Sequence, residues 1–155
     1  MKRKSWIEKF DDDKDLPKVV NIEGKMTRKW GEGTMVIPSP REVYEIMSRV
    51  PEGSVTTINE IRSYLSKKHK ADLCCPITTG IFAWVSANAS EELKSRCEGG
   101  IPYWRTLRSD GLINEKYPGG AERQKALLEK EGHKIIKRGK RYFVDGFEGR
   151  LFSSF

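Results

Sequence analysis

The chain of 155 residues contains no apolar run approaching the roughly 20 residues needed to cross a bilayer. Its basic start, Met1-Lys2-Arg3-Lys4-Ser5-Trp6, is not followed by the hydrophobic stretch of a secretion signal. A cytoplasmic protein with no membrane partner is the expectation. Cysteine is scarce: Cys74, Cys75 and Cys97 are odd in number and include an adjacent pair, a poor basis for a disulfide framework, so reduced and mostly buried thiols are expected. Histidine is scarcer, with only His69 and His133, and no Cys-x-x-Cys spacing joins these five residues into a zinc site, so no metal or cofactor is predicted. Acidic residues are outnumbered 22 to 29, giving a net charge of +7 and a pI near 9.3. That balance favours a polyanionic partner such as nucleic acid. It equally describes a well-solvated surface, and charge alone does not choose between them.

A hydrophobic content of 37% suits a modest core, and the length suits one domain with an extension. We place the extension at residues 1–38 and the domain at 39–155. The extension mixes basic residues with the acidic run Asp11-Asp12-Asp13. Val19-Val20-Asn21-Ile22 and Thr34-Met35-Val36-Ile37 then read as two strands of a β-hairpin, with Gly24, Gly31 and Gly33 between them. Lys25, Arg28, Lys29 and Trp30 lie in the connection, either as contacts to phosphate and base or as a solvated loop with Trp30 packed inward.

Ser39-Pro40-Arg41-Glu42 combines an N-cap serine, a first-turn proline and a capping-box glutamate, and predicts a helix whose apolar stripe is Val43, Ile46, Met47 and Val50. Thr57-Ile58-Asn59-Glu60 is a second capping box, followed by Ile61 and Leu65 on one face. A third helix is expected over residues 77–88, where Thr78, Thr79, Gly80, Ala83, Ser86 and Ala87 are small and no charge intervenes. A helix-turn-helix whose second helix presents its small face to DNA fits this pattern, and so does buried packing. Farther on, residues 133–145 read as two strands about Gly139, a basic wing in which Lys137 and Arg138 join Lys134, Lys140 and Arg141.

Between these elements lie Ile101-Pro102-Tyr103-Trp104-Arg105, Ser109-Asp110-Gly111, Tyr117-Pro118-Gly119-Gly120 and Gln124-Lys125-Ala126-Leu127-Leu128-Glu129-Lys130-Glu131-Gly132-His133, with Val55-Thr56-Thr57-Ile58-Asn59-Glu60-Ile61 upstream. Together they resemble the C-terminal domain of the O6-alkylguanine-DNA alkyltransferases, whose Pro-Cys-His-Arg loop precedes a Ser-x-Gly turn, a Tyr-x-Gly-Gly segment and a helix ending in Leu-Leu-x-x-Glu-Gly. Tyr103 stands in the place of the acceptor cysteine and Trp104 in that of the activating histidine. Alkyl transfer needs an activated thiolate, and a phenol with an ordinary pKa of about 10 is a poor replacement. The resemblance therefore points to the alkyltransferase-like proteins, which bind damaged DNA without repairing it.

What the resemblance implies is an α/β winged-helix-like, helix-turn-helix domain with a small N-terminal β-element, acting on double-stranded DNA that carries O6-alkylguanine, alone or with other repair proteins, as a monomer. In that family the second helix enters the minor groove, where sequence readout is poor. Ile58 falls where the family has a phosphate-pressing tyrosine, and Thr79 where it has an arginine finger. Thr57, Arg62 or Arg105 are alternatives for the first role, and Phe82 or Trp84 for an apolar wedge in the second. Asn88 matches the asparagine that ends the helix and braces the loop, and Glu131 the glutamate that orients the histidine. Ala83 allows close approach, while Pro102, Arg105, Ser109, Tyr117, Gly119 and Gly120 correspond to the pocket loop and its lid. Tyr103, Trp104 and Tyr117 would line a slot for a flipped base. Two other readings stay open: transfer or hydrolysis at Tyr103 or a nearby cysteine, and a winged-helix regulator without lesion specificity.

Overall fold

The structure is a computed structural model that describes residues 5–11 and 15–155; Lys2, Arg3 and Lys4 of the basic start and Asp12 and Asp13 of the acidic run lie outside them. Helix α1 (Trp6–Asp11) leads to β1 (Lys18–Asn21), α2 (Met26–Trp30) and β2 (Thr34–Ile37). The two strands pair antiparallel, with Val19 opposite Val36. At six and five residues, α1 and α2 are too short to display a helical period in the sequence.

Next come α3 (Pro40–Ser48), β3 (Thr56–Thr57), α4 (Ile58–Lys68) and β4 (Leu73–Cys74). Both capping serine and threonine do as their spacing dictates: Ser39 Oγ accepts from Glu42 N at 3.2 Å, and Thr57 Oγ1 from Glu60 N at 3.3 Å. Strand β4 adds to β2 in parallel, Met35 opposite Leu73 and Val36 opposite Cys74. The N-terminal strands and the turn of the helix-turn-helix thus share one three-stranded sheet, across the division drawn at residue 38.

Helix α5 (Pro76–Ser95) is the long second helix of that motif. It runs past Asn88 because Ala89 and Ser90 continue its buried face. Of the two orientations the sequence left open, its small face takes the buried one. Thr79, Ala83 and Ala87 are fully buried, so the small side chains let α5 approach the protein's own core, while Ile77 and Ile81 point outward at 55% and 49% exposure. That core gathers Val43, Ile46 and Met47 from α3, Ile61 and Leu65 from α4, and Tyr103 and Tyr117 from the following loops. Each fully buried aliphatic side chain contributes about 1.5–3 kcal/mol.

Strand β5 (Thr106–Leu107) pairs in parallel with β3. Helix α6 (Gly120–Lys130) then covers a second cluster of Val55, Leu107, Ile113, Leu128 and Val144. The wing is present as β6 (Ile135–Arg138) and β7 (Arg141–Val144), antiparallel about Gly139. An antiparallel bridge from Phe143 to Leu112 moors it to the loop after β5. The tail packs back as expected, with Phe155 edge-on to Tyr64 at 5.5 Å.

Candidate nucleic-acid interface

A groove of about 380 Å³ opens where the starts of α4 and α5 meet the loop between β5 and α6. Ile58, Asn59 and Arg62 form one wall, Pro76, Ile77, Gly80 and Ile81 the floor, and Arg108, Ser109, Asn114 and Lys116 the other wall. Trp84 closes its back. The Trp84 indole donates to the Lys116 carbonyl oxygen at 3.1 Å and receives the Trp6 ring edge-on at 4.6 Å, so α1 holds the wall from behind. Arg62 is held in place by two bonds, from Nε to the Cys74 carbonyl at 2.9 Å and from Nη1 to Asn59 Oδ1 at 3.2 Å. Three cations around an apolar floor make a surface suited to a polyanion.

Of the residues singled out in the sequence, Ile58, Arg62, Ser109 and Trp84 meet on this groove. Several others do not. Thr57 is a buried N-cap, and Thr79 is wholly enclosed, its hydroxyl donating to the Cys75 carbonyl at 2.7 Å, so neither can touch a phosphate or fill a base stack. Ala83 faces the core, and Phe82 packs against it. Asn88 lies in mid-helix and donates to the Trp84 carbonyl; the loop is instead braced by Ser90, whose Oγ accepts from Ile101 N at 2.8 Å. Arg105 is committed internally, forking Glu131 at 2.9 and 2.6 Å and reaching the Val50 carbonyl at 2.8 Å. It is no free phosphate ligand. Trp104 donates to the same Glu131, at 3.1 Å.

Tyr103, Trp104 and Tyr117 do not line one common slot: Tyr103 and Trp104 border a cavity that Tyr117 does not reach. Tyr103 and Tyr117 are 1% and 2% exposed and meet edge-on at 5.6 Å, with Trp104 edge-on to Tyr103 at 5.5 Å. The Tyr103 hydroxyl donates to Glu91 Oε1 at 2.7 Å. Burial, then that bond and the carboxylate's charge, push the phenol far above its ordinary range. Burial likewise lifts the Cys74 thiol to about 11, and it lies against the Thr79 hydroxyl, as Cys75 lies against Thr78. Only Cys97 is exposed among the three. Pro102 starts a 3-10 turn over Tyr103–Arg105; Pro118 and Gly119 lead into α6, where Gly119 has φ +83 and a Cβ would strike Arg123. A second cavity, about 410 Å³, lies at the far end of α5 against Ser90, Lys94, Gly100 and the 101–105 loop. Lys137 and Arg138 are exposed on the wing, their cations over Tyr142 and Phe143. Among the described residues no group of three or more His, Cys, Asp or Glu comes together as a metal site, and no helix is long and apolar enough to cross a membrane.

No family model and no curated protein matches the chain at a significant level. Solved structures do. S. pombe Atl1, crystallised in complex with damaged DNA containing O6-carboxymethylguanine, superposes with a TM-score of 0.54 at 21% identity, covering 73% of this chain and 93% of that one. S. pombe ATL in complex with DNA gives a TM-score of 0.54 at 22% identity and the same coverage. The chain has the alkyltransferase-like fold. Within the alkyltransferase-like fold of this chain, the residues that line the groove but carry no motif are Pro76, Ile77, Gly80, Ile81, Arg108, Asn114 and Lys116. The available signal was the uncharged run after Pro76, with Ile77 and Ile81 one helical turn apart on the face opposite the small residues.

Proposed function

We propose that this chain is a non-catalytic DNA-binding protein of the alkyltransferase-like kind. It docks the groove between α4, α5 and the 108–116 loop onto duplex DNA, takes O6-alkylguanine as its preferred lesion, and serves DNA repair as a monomer. One observation carries the reading: a cation-walled, apolar-floored groove sits at the helix-turn-helix of a fold that Atl1 presents to damaged DNA. Ile58 and Ser109 contact the strand at the groove, and Lys137 and Arg138 on the wing hold phosphates beyond it. The chemistry of the pocket loop supports a binding role. With Tyr103 buried, bonded to Glu91 and held protonated, the position of the family's acceptor offers no nucleophile.

The test pairs a titration with a mass measurement. Matched duplexes with and without O6-methylguanine are titrated with the protein, and the protein is then weighed by mass spectrometry. Saturable binding, tighter on the alkylated duplex, with an unchanged protein mass is the expected result. A stoichiometric gain of one methyl group would overturn the non-catalytic reading, and equal affinity for the two duplexes would remove the lesion preference.

A further inference from the structure

We infer that α1 is a strap whose docking sets the affinity of the groove for DNA, and that Trp6 is the positioning residue through which it acts. The inference rests on the groove being the DNA interface and adds how that interface is controlled from within the chain. At six residues, α1 is far shorter than the roughly 12–15 at which a helix holds by itself in water. It exists because it is docked. Its start is a reciprocal capping box, in which Ser5 N donates to Glu8 Oε2 and Glu8 N donates to Ser5 Oγ, each at 3.1 Å. None of its residues is fully buried, so it is held by a few pins along its length. Trp6 meets Trp84 edge-on at 4.6 Å while its backbone N–H donates to Glu92 Oε2 at 3.0 Å; Phe10 meets Tyr44 of α3 at 4.8 Å, and Asp11 pairs with Arg41 at 3.1 Å. Such a helix opens at low cost.

The first pin lands on the interface. Trp84 is only partly buried, and its indole N–H ties α5 to the Lys116 carbonyl in the facing wall, where Asn114 Oδ1 closes the turn by accepting from Lys116 N at 3.0 Å. With α1 docked, the indole is fixed between the Trp6 ring behind it and that carbonyl in front. Without Trp6 the side chain regains its freedom, and a duplex entering the groove has to order both the indole and the wall it carries. No residue of α1 lines the groove, so the effect passes through Trp84. By linkage the coupling runs both ways: a duplex seated in the groove holds α1 down by the same factor by which docked α1 tightens the duplex.

The experiment uses the full chain with a plain and an O6-methylguanine duplex, reading affinity by anisotropy and the opening of α1 by hydrogen exchange with mass spectrometry. Trp6→Ala is expected to weaken binding of both duplexes about two- to tenfold, as for the ordering of one large side chain. Its salt dependence should match that of the unmodified protein, because no phosphate contact is lost, and Trp6→Phe should restore most of the affinity. In a Trp84→Ala background, Trp6→Ala is expected to change nothing further, since its target is gone. Saturating duplex should slow exchange over α1 in the unmodified protein and leave it unaltered in Trp84→Ala. Thermal melts check that the variants are folded at the temperature of titration. Full affinity in Trp6→Ala, or Trp6 and Trp84 effects that simply add, would overturn the strap while DNA binding stands. A shallower salt dependence in Trp6→Ala would overturn it as well, by showing that α1 meets phosphate directly. No binding of either duplex by the unmodified protein would defeat the DNA reading and the strap with it.

Discussion

At Glu131 three donors converge on one carboxylate: the Trp104 indole at 3.1 Å and the Arg105 guanidinium at 2.9 and 2.6 Å. The indole N–H donates without a titratable ring. Arg105 and Glu131 side chains are only 14% and 8% exposed, so their worth lies in mutual compensation. Glu131→Ala is expected to destabilise the protein by about 3–5 kcal/mol, because it leaves a buried guanidinium unpaired. The double change Arg105→Ala/Glu131→Ala should cost less than the sum of the single ones. Urea unfolding of the four proteins checks both statements. Residue identities in this loop were legible from spacing, but directions were not. Thr79 and Gly80 are adjacent, and the hundred-degree turn between them puts one in the core and the other on the groove.

Elements were readable in proportion to their length and their caps. The α3 and α4 starts follow from hydroxyls that accept a backbone N–H three residues on, a local event that tertiary packing does not override. Helix α5 exceeded expectation because nothing in Ala89-Ser90-Glu91-Glu92 stops a helix, and Ser90 packs inward to bond the next loop. The pairing of β2 with β4 was invisible, since a two-residue strand such as β4 has no periodic signature. A consequence can be measured at Gly33, which has φ +127 and would place a Cβ 2.3 Å from Asp72 Oδ2. That carboxylate oxygen accepts from Thr34 N at 2.9 Å and holds the start of β2 to the approach to β4. Gly33→Ala is expected to cost more than about 1 kcal/mol, through both the positive φ and the displaced carboxylate. Thermal melting of the variant gives the answer.

For the molecule as a whole, charge left the class of partner open and the motif spacing indicated the fold, while the location of the groove needed coordinates. Sequence placed five cations on the wing; the groove owes its cations to Arg62, Arg108 and Lys116, which come together only through the packing of α4 against the loop beyond β5. The affinity for plain duplex is expected to fall with salt on a double-logarithmic plot, with a slope near −0.9 per phosphate neutralised. Lys137→Ala and Arg138→Ala should each flatten that slope by about one and weaken plain and alkylated duplexes alike. A flat response to salt in the unmodified protein would refute phosphate clamping.

The parallel junction of β2 with β4 also governs how the chain must be assembled. Asp72 follows Thr34 by 38 residues, so at ordinary rates of synthesis β2 leaves the ribosome about 2–8 seconds before its neighbour exists. During that interval the edge carrying Met35 and Val36, both buried in the finished sheet, stands open to any passing strand. The stretch that carries β1 and β2 is therefore dependent on the helix-turn-helix made after it.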